Sequence, residues 1–303
     1  MATRLDEAIA LDLVKGDAEG STWRGLITDK YNVFIVPNGG LLMALILRAM
    51  RNEQKRHGLD KESNLDCLHM QHSFLAATVG NAPCDITVRV IKRGRTLSWV
   101  SAELQQAAKV RIMAIAGFGK YDPCPATNYI PVEDVKLINT QSERFKSSSI
   151  PKGNGETREL FSRWVWNFPP GDKDVYLRMT SQQEHPDPCP TKFNVYMRHE
   201  DRSEPITVES LVAISDAAIP TIKALLPFGD MGWVPTLSFN SYLFAEPRPD
   251  LEWVYCEFNL EAASEGRSIQ GVSIFDPETG ALLCRASQGA LNVAEQKDQS
   301  SKI

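Results

Sequence analysis

The sequence lacks the motifs that define several common enzyme classes. It contains no Gly-x-Ser-x-Gly element, no Walker A loop, no His-Glu-x-x-His motif and no complete Gly-x-Gly-x-x-Gly fingerprint. These absences argue against a serine α/β-hydrolase, a P-loop NTPase, a zinc metalloprotease and a Rossmann dinucleotide-binding enzyme. Because no other metal or cofactor motif stands in their place, we expect neither a metal nor a cofactor.

The chain also has few features of a secreted, membrane or nucleic-acid-binding protein. Its six cysteines form no Cys-x-x-Cys pair, and its net charge of −5 comes without a long basic run. A structural zinc site and a nucleic-acid partner are therefore not expected. We find no signal peptide and no apolar run long enough to cross a bilayer, so we expect no membrane span. The free thiols fit an intracellular protein, either peroxisomal or cytoplasmic.

The C-terminal residues resemble a targeting signal. The polar stretch from about residue 294 is expected to be disordered, and it ends in Ser301-Lys302-Ile303. This tripeptide differs from the Ser-Lys-Leu peroxisomal signal only in its last residue, where Ile is also apolar. The tail therefore predicts a peroxisomal import receptor as a partner, with a chance match as the alternative.

The first half of the sequence predicts one buried helix followed by strands. The turn-forming word Val36-Pro-Asn-Gly-Gly40 precedes an apolar stretch, so we expect a helix that is capped by Asn38 and surrounded by other structure. Strands are predicted over residues 68–74, 84–92, 97–104 and 110–118. A buried helix followed by antiparallel strands indicates the α+β class.

The second half repeats this order after a proline-rich segment. Residues 123–160 are predicted to be a linker with loops, between an N-terminal module (1–122) and a C-terminal module (161–303). In the second module we expect strands over 175–179 and 192–197, a helix over 205–218, and strands over 236–244, 253–261, 268–275 and 281–290. The two modules thus share a helix that is followed by antiparallel strands.

A short internal repeat supports two similar modules. Residues 94–100 align with residues 266–272, and each segment is followed by a strand, a turn and a final apolar strand. This alignment places Gln288 opposite residues 117–118 of the first half. The apolar part of the first helix, residues 41–50, carries no carboxylate, whereas the second helix carries Asp216. We infer that one of the two modules carries the chemistry.

Several short sequence words, in this order and at this spacing, resemble one family. They are spread over most of residues 30–293 and are Pro37-Asn-Gly-Gly40, Arg93-Gly-Arg-Thr96, Leu211 to Pro220, Val234-Pro-Thr236, Glu252-Trp253 and Ala286-Ser-Gln-Gly289. The family is that of acyl-CoA thioesterase II, also called TesB-like. The resemblance implies two fused hot-dog modules, each a long helix wrapped by an antiparallel sheet.

The resemblance also implies an activity and a catalytic site. Members of this family hydrolyse an acyl-CoA, or a related acyl thioester, to free acid and CoA in fatty-acid and lipid metabolism. An Asp, a Thr and a Gln jointly hold the hydrolytic water in the family, and they match Asp216, Thr236 and Gln288. The stretch over residues 71–78 lacks a proline that the family often has. This departure indicates a divergent member, and divergent fungal-type members act in natural-product pathways of secondary metabolism.

The three residue types suit hydrolysis. A carboxylate in the apolar stretch around Asp216 is costly to bury, so it needs partners or a function, and it would act as a general base or orient the water. Thr236 and Gln288 would fix the position of that water by hydrogen bonds. Taken alone, Asp216 would be interpreted as a helix-end or salt-bridged residue, and the other two as ordinary strand residues.

The start of the first helix is a candidate for substrate binding. Asn38, Gly39 and Gly40 would direct N–H groups at the oxyanion of the reaction, since a helix start carries free donors. The alternative is that the two glycines only allow a tight entry into the helix.

Three arginines are candidates for binding CoA. Arg93, Arg95 and Arg267 would pair with its phosphates, or they would be solvated charges of hairpins. The remaining expected partner is a second copy of the chain, because hot-dog modules usually pair through their sheets.

Three other functions stay open. A hot-dog hydratase or dehydratase pairs an Asp with a His five residues later, but residue 221 is Thr. A natural-product enzyme could use the same fold on a polyketide or acyl intermediate, in cyclisation, dehydration or release. A non-catalytic acyl-binding protein would bind its ligand without hydrolysing it, and an Asp216→Asn variant would separate that case from a hydrolase.

Overall fold

The computed structural model describes residues 4–33, 35–58, 66–94, 96–121, 163–180, 189–218, 221–225 and 231–294. The predicted linker over residues 123–160 and the Ser301-Lys302-Ile303 tail lie outside these ranges, so the module boundaries and the tail remain predictions. None of the helices in these ranges is long and apolar enough to cross a membrane.

The described residues form the following helices and strands. The helices are α1 (Leu5–Ala8), α2 (Gly39–Arg56), α3 (Asp172–Thr180) and α4 (Val208–Ser215), and short 3₁₀ turns cover Asp29–Tyr31 and Thr221–Ala224. The strands are β1 (Asp12–Gly16), β2 (Gly20–Ile27), β3 (Asn32–Val33), β4 (Val36–Pro37), β5 (Asp66–Phe74), β6 (Ala82–Lys92), β7 (Ser98–Gln106), β8 (Lys109–Gly119), β9 (Trp164–Asn167), β10 (Lys192–His199), β11 (Met231–Trp233), β12 (Thr236–Leu243), β13 (Val254–Ser264), β14 (Arg267–Phe275), β15 (Leu282–Leu291) and β16 (Val293–Ala294).

Twelve of these strands form one sheet in the order β1-β2-β6-β7-β8-β5-β12-β15-β14-β13-β10-β9. The first six come from the first half of the chain and the last six from the second, and β5 pairs antiparallel with β12 where the halves meet. Counted outward from this junction, each half has the same arrangement of its central strands. The predicted α+β class with two similar modules is therefore confirmed.

Helix α2 is the central helix of the first module. Asn38 caps it by accepting a hydrogen bond from the Leu41 N–H at 3.2 Å. Residues 40–47 are all buried, because the helix packs against β2, β6 and β7 and against α4. The expectation of a helix surrounded by other structure is met.

Helix α4 is the counterpart in the second module, and it is shorter than the predicted range of 205–218. The Thr207 hydroxyl accepts from the Ser210 N–H at 3.2 Å and so caps its start. Asp216 ends the helix, with φ −114° and ψ 16°. Its carbonyl accepts a hydrogen bond from Asn38 Nδ2 at 2.9 Å, so a contact with the first module replaces a further turn of helix.

One predicted strand was wrong. Residues 175–179 lie inside α3. Asp172 and Asp174 occupy its first turn, where negative charge favours a helix start. Tyr176 and Met179 are both buried, and their spacing of three residues places them on one helix face. The short apolar run had the composition of a strand, but it forms the buried side of an amphipathic helix.

The edge strands β1 and β9, and β2 next to β1, were not predicted from the sequence. The other predicted strands coincide with β5 to β8, β10 and β12 to β15, apart from a few residues at their ends. Local alternation identified the central strands well, and it was weakest where a strand lies at the edge of the sheet.

Matching irregularities align the two modules. β5 and β12 each contain one register shift, which starts at Cys67 in β5 and at Thr236 in β12. Superposing the two shifts matches Cys67 with Thr236 and, on the next strand, Ala116 with Gln288. The counterpart of Gln288 is thus Ala116 and not residues 117–118. The repeat-based alignment differs because the turn between β6 and β7 is longer than the turn between β13 and β14, which offsets the repeated words along the strands.

The two central helices align by their caps. Leu47 and Asp216 each lie nine residues after the cap residue of their helix, and Gly40 and Glu209 each lie two residues after it. The position of Leu47 in the first module therefore corresponds to the position of Asp216 in the second.

Candidate active site

The three predicted catalytic residues come from three separate elements and meet in space. Asp216 ends α4, Thr236 begins β12 and Gln288 lies on β15. Gln288 Nε2 donates to Asp216 Oδ1 at 2.9 Å and to Thr236 Oγ1 at 2.7 Å. One amide group therefore connects the carboxylate and the hydroxyl.

The pairing of β12 with β15 places two of these residues side by side. Gln288 pairs with Phe239, and its side chain is buried on the inner face of the sheet. The register shift that starts at Thr236 breaks the regular alternation of this strand. Such bulges re-aim a side chain, and this one lets the Thr236 hydroxyl reach the Gln288 amide.

The predicted substrate-binding residues at the start of α2 hold Asp216. The Gly40 N–H donates to Asp216 Oδ2 at 2.9 Å, and Asn38 Nδ2 donates to the same oxygen at 3.0 Å. The free N–H groups and the dipole of a helix start favour an anion there. The prediction that Asn38, Gly39 and Gly40 serve an oxyanion stays a prediction, but in the structure these donors point at the carboxylate.

The two glycines are required by close approach. A Cβ atom at Gly39 would lie 2.7 Å from Asp216 Oδ2, and one at Gly40 would lie 2.4 Å from the carbonyl oxygen of Ala213. Any larger residue at these positions would push α2 away from α4. The Gly-Gly word therefore marks the contact between the two central helices.

The carboxylate of Asp216 is set apart by its environment. Asp216 is only partly exposed, and the loss of solvent around its carboxyl group raises the pKa of Asp216 to about 7. The Gly40 N–H, Asn38, the Gly39 N–H and Gln288 act in the opposite direction by favouring the charged form. All four are uncharged donors, so Asp216 can gain and lose a proton near neutral pH.

The predicted CoA-binding arginines are not gathered at one place by the described contacts. Arg93 precedes β7 and donates to the Ala18 carbonyl at 2.6 Å and to His57 at 2.8 Å. Arg267 is exposed at the start of β14, and Arg95 lies outside the described residues. Their binding of CoA phosphates stays a prediction.

Two residues that the sequence did not suggest as functional lie beside this group. Gln270 pairs directly with Gln288 across β14 and β15, and it is buried. Its Oε1 accepts from the Thr221 N–H at 2.7 Å. Only strand pairing could have drawn attention to Gln270, because nothing in the local sequence links it to Gln288.

The fold and the site define a class of protein before any comparison. A central helix packed on an antiparallel sheet occurs twice, and the group of Asp216, Thr236 and Gln288 lies at the start of α2, where the two modules meet. This is the double hot-dog architecture.

Comparison with known protein families supports this architecture. Residues 27–119 match the acyl-CoA thioesterase N-terminal domain, and residues 149–291 match the acyl-CoA thioesterase C-terminal domain. The chain belongs to the acyl-CoA thioesterase family, and it is accordingly a thioester hydrolase. No curated protein matches the sequence.

Solved structures share the fold at low sequence identity. A protein assigned as a thioesterase II from Thermobifida fusca is 20% identical, with a TM-score of 0.72 over 96% of this chain and 98% of that one. A hot-dog protein of unknown function from Alicyclobacillus acidocaldarius is 17% identical, with a TM-score of 0.73 over 96% and 98% of the two chains. The acyl-CoA thioesterase II TesB2 from Mycobacterium marinum is 16% identical, with a TM-score of 0.59 over 96% and 99%. These similarities establish the double hot-dog fold along nearly the whole chain.

Proposed function

We propose that this protein hydrolyses acyl-CoA and related acyl thioesters with a water that is held by Asp216, Thr236 and Gln288. The supporting observation is the Gln288 amide, which donates to Asp216 at 2.9 Å and to Thr236 at 2.7 Å. A carboxylate, a hydroxyl and an amide joined in this way can position a water for attack on a carbonyl carbon.

Asp216 acts as the general base. Its pKa of about 7 makes it basic enough to accept a proton while a large share of it remains ionised at neutral pH. The water oxygen attacks the thioester carbonyl carbon as its proton passes to Asp216. The carbon–sulfur bond then breaks, and the proton passes to the sulfur, which yields the free acid and the CoA thiol.

Thr236 and Gln288 act on the water and the substrate. The Thr236 oxygen accepts from Gln288, so its own hydroxyl proton is free to donate. The second oxygen of the carboxylate is held by Asn38 and Gly40, which fixes the plane of Asp216 for proton transfer. We expect these residues and Gly39 to serve the reaction by orienting the base.

The phosphates of CoA are expected to bind near Arg267, with Arg93 and Arg95 as further candidates. Arg267 is exposed at the start of β14, three residues before Gln270 and on the opposite face of the strand. An exposed guanidinium has the charge that a diphosphate needs.

The test is thiol release from a panel of acyl-CoAs from acetyl to long-chain, with Asp216→Asn alongside. The unmodified protein should release thiol, and the variant should lose about 10²–10⁴-fold in kcat, because it keeps the shape but not the base. The variant should still bind acyl-CoA in a calorimetric titration. Asp85→Asn is a matched control, since Asp85 pairs with Arg24 on the outer strands.

Either of two results would overturn the proposal. Equal thiol release by Asp216→Asn and by the unmodified protein would show that Asp216 is not the general base. No release from any acyl-CoA by a folded protein would point instead to a polyketide or other specialised acyl intermediate.

A further inference from the structure

A second pair of polar residues continues the site across the sheet. Gln270 pairs directly with Gln288, and both side chains are buried. Directly opposed residues on antiparallel strands have Cβ atoms about 4.5–5.5 Å apart. The Gln270 side chain therefore lies next to the amide that bridges Asp216 and Thr236.

Gln270 is held in one orientation. Its Oε1 accepts from the Thr221 N–H at 2.7 Å, which turns its NH₂ group the other way. Gln270 is only 5% exposed, and no acceptor for its NH₂ group lies among the residues that the structure describes. Its Nε2 atom is not fully enclosed, so it can donate to a ligand or water that reaches it.

The Thr221 hydroxyl is a second unsatisfied group. Thr221 is 0% exposed, and its Oγ1 has no hydrogen-bond partner among the residues that the structure describes. Gln270 uses only the backbone N–H of Thr221, so the hydroxyl can still donate and accept. The enclosed Thr221 hydroxyl and the Gln270 amide thus lie together beside Gln288, and both have spare hydrogen-bonding capacity.

We infer that Gln270 and Thr221 form a polar subsite that binds a hydroxyl or carbonyl oxygen carried by the acyl group close to its thioester. The inference rests on the proposed function and makes oxygenated acyl thioesters the preferred substrates. The Gln270 NH₂ group donates to that oxygen, and the Thr221 hydroxyl donates to a carbonyl or accepts from a hydroxyl. An unsubstituted acyl chain leaves both groups unpaired, which is how a polar subsite discriminates against an analogue that lacks the oxygen.

The test compares butanoyl-CoA with β-hydroxybutanoyl-CoA and acetoacetyl-CoA by kcat/KM. The unmodified protein should favour the oxygenated substrates by at least about tenfold, and Thr221→Val should reduce that preference about tenfold. Thr221→Val removes the hydroxyl but keeps the backbone N–H that binds Gln270, so the fold should be retained. Gln270→Met should act in the same direction.

The chain offers a matched control. Ser98 lies on β7 of the other module, and its hydroxyl is also buried without a partner among the described residues. Ser98→Ala should leave the substrate preference unchanged, because it removes a similar group away from Asp216.

The possible failures are distinguishable. Equal hydrolysis of plain and oxygenated substrates, or an unchanged preference in Thr221→Val, overturns the subsite but leaves the hydrolase. If the unmodified protein hydrolyses none of these substrates, the proposed function fails. The subsite is then tested by calorimetric Kd values for Asp216→Asn and for the Asp216→Asn/Thr221→Val double variant. Tighter binding of β-hydroxybutanoyl-CoA than of butanoyl-CoA that Thr221→Val abolishes supports the subsite, and equal affinities overturn it.

Discussion

The site around Asp216 has a counterpart in the first module that occupies equivalent positions with different chemistry. The residues that correspond to Asp216, Thr236 and Gln288 are buried and carry no charge, namely Leu47, Cys67 and Ala116. The position of Gln270 is likewise taken by an apolar residue, Val100, because it pairs with Ala116. The same backbone therefore supports a polar group in one half and ordinary core packing in the other.

Two carboxylates of the α4 region, Glu209 and Asp216, both bind residues of α2 but have different kinds of partner. Glu209 is bound by Arg48 Nε at 3.1 Å and by Arg51 Nη1 at 2.8 Å, so two guanidinium groups fix it as a link between the modules. Asp216 is bound only by uncharged donors, including the Gly40 N–H at 2.9 Å. A carboxylate held by cations serves structure, whereas one held by neutral donors stays able to exchange a proton.

The comparison teaches that the proposed catalytic site is shared between the modules. The second module supplies the carboxylate, the hydroxyl and the amide, and the first supplies the helix start that holds the carboxylate. The first module thus contributes to the proposed chemistry although it lacks a catalytic residue of its own.

The largest effect is expected when a carboxylate is introduced at Leu47, the first-module counterpart of Asp216. Leu47→Asp should lower the free energy of unfolding by at least about 3 kcal/mol, because Leu47 is fully buried and Ala116 and Thr207 replace the amide donors Gln288 and Asn38 that hold Asp216. Denaturant unfolding measures this, with Leu47→Met as the control, which should cost less than about 1.5 kcal/mol. A stable Leu47→Asp protein with increased activity would contradict the comparison.

The next effect is expected when the catalytic site is made to resemble its counterpart. Gln288→Ala should lower kcat about 10²-fold, because the amide no longer bridges Asp216 and Thr236. Thr236→Val should act similarly, and the double variant should lose less than the product of the two. Steady-state thiol release measures these rates, and Cys67→Val, at the counterpart position, should leave them unchanged.

A smaller effect is expected from the contact between the helices. Gly40→Ala should lower the free energy of unfolding by about 1–3 kcal/mol and reduce kcat, since its Cβ would displace α2 from α4 and from Asp216. Gly80→Ala is the control, because its Cβ would meet Asn32 Oδ1 at 3.3 Å as its nearest neighbour. Thermal unfolding and thiol release on both variants check this, and equal behaviour would show that the close approach is unimportant.

The smallest effect is expected from a change of one pH unit. With the pKa of Asp216 at about 7, kcat should rise about tenfold per pH unit below that value and level off above it. The folded state holds this proton more tightly than the unfolded chain, whose Asp pKa is about 3.8, so the stability that the proton contributes is present at low pH and is lost as pH rises through about 7. Asp216→Asn should lack both dependences, and a rate profile that stays flat below neutral pH would remove Asp216 as the base.

Much of the fold was predictable from local patterns. Strand alternation located β5 to β8 and β12 to β15, and the Pro-Asn-Gly-Gly word located the start of α2. The patterns failed for residues 175–179, where tertiary contacts make a short apolar run helical, and for the edge strands. The resemblance to the thioesterase family singled out Asp216, Thr236 and Gln288, but no local pattern pointed to Gln270 or Thr221.

The sequence by itself determined the two similar modules, the Asn38 cap of the first central helix and the asymmetry between the modules, because these depend on residues that are close along the chain. Only the tertiary structure decided that Asn38 binds Asp216, which is 178 residues away, and that Gln270 lies beside Gln288. The physical reason is that these contacts depend on how α2 packs against α4 and on the register between strands. The raised pKa of Asp216 follows from the same packing, since burial and uncharged donors act only after the two modules have come together.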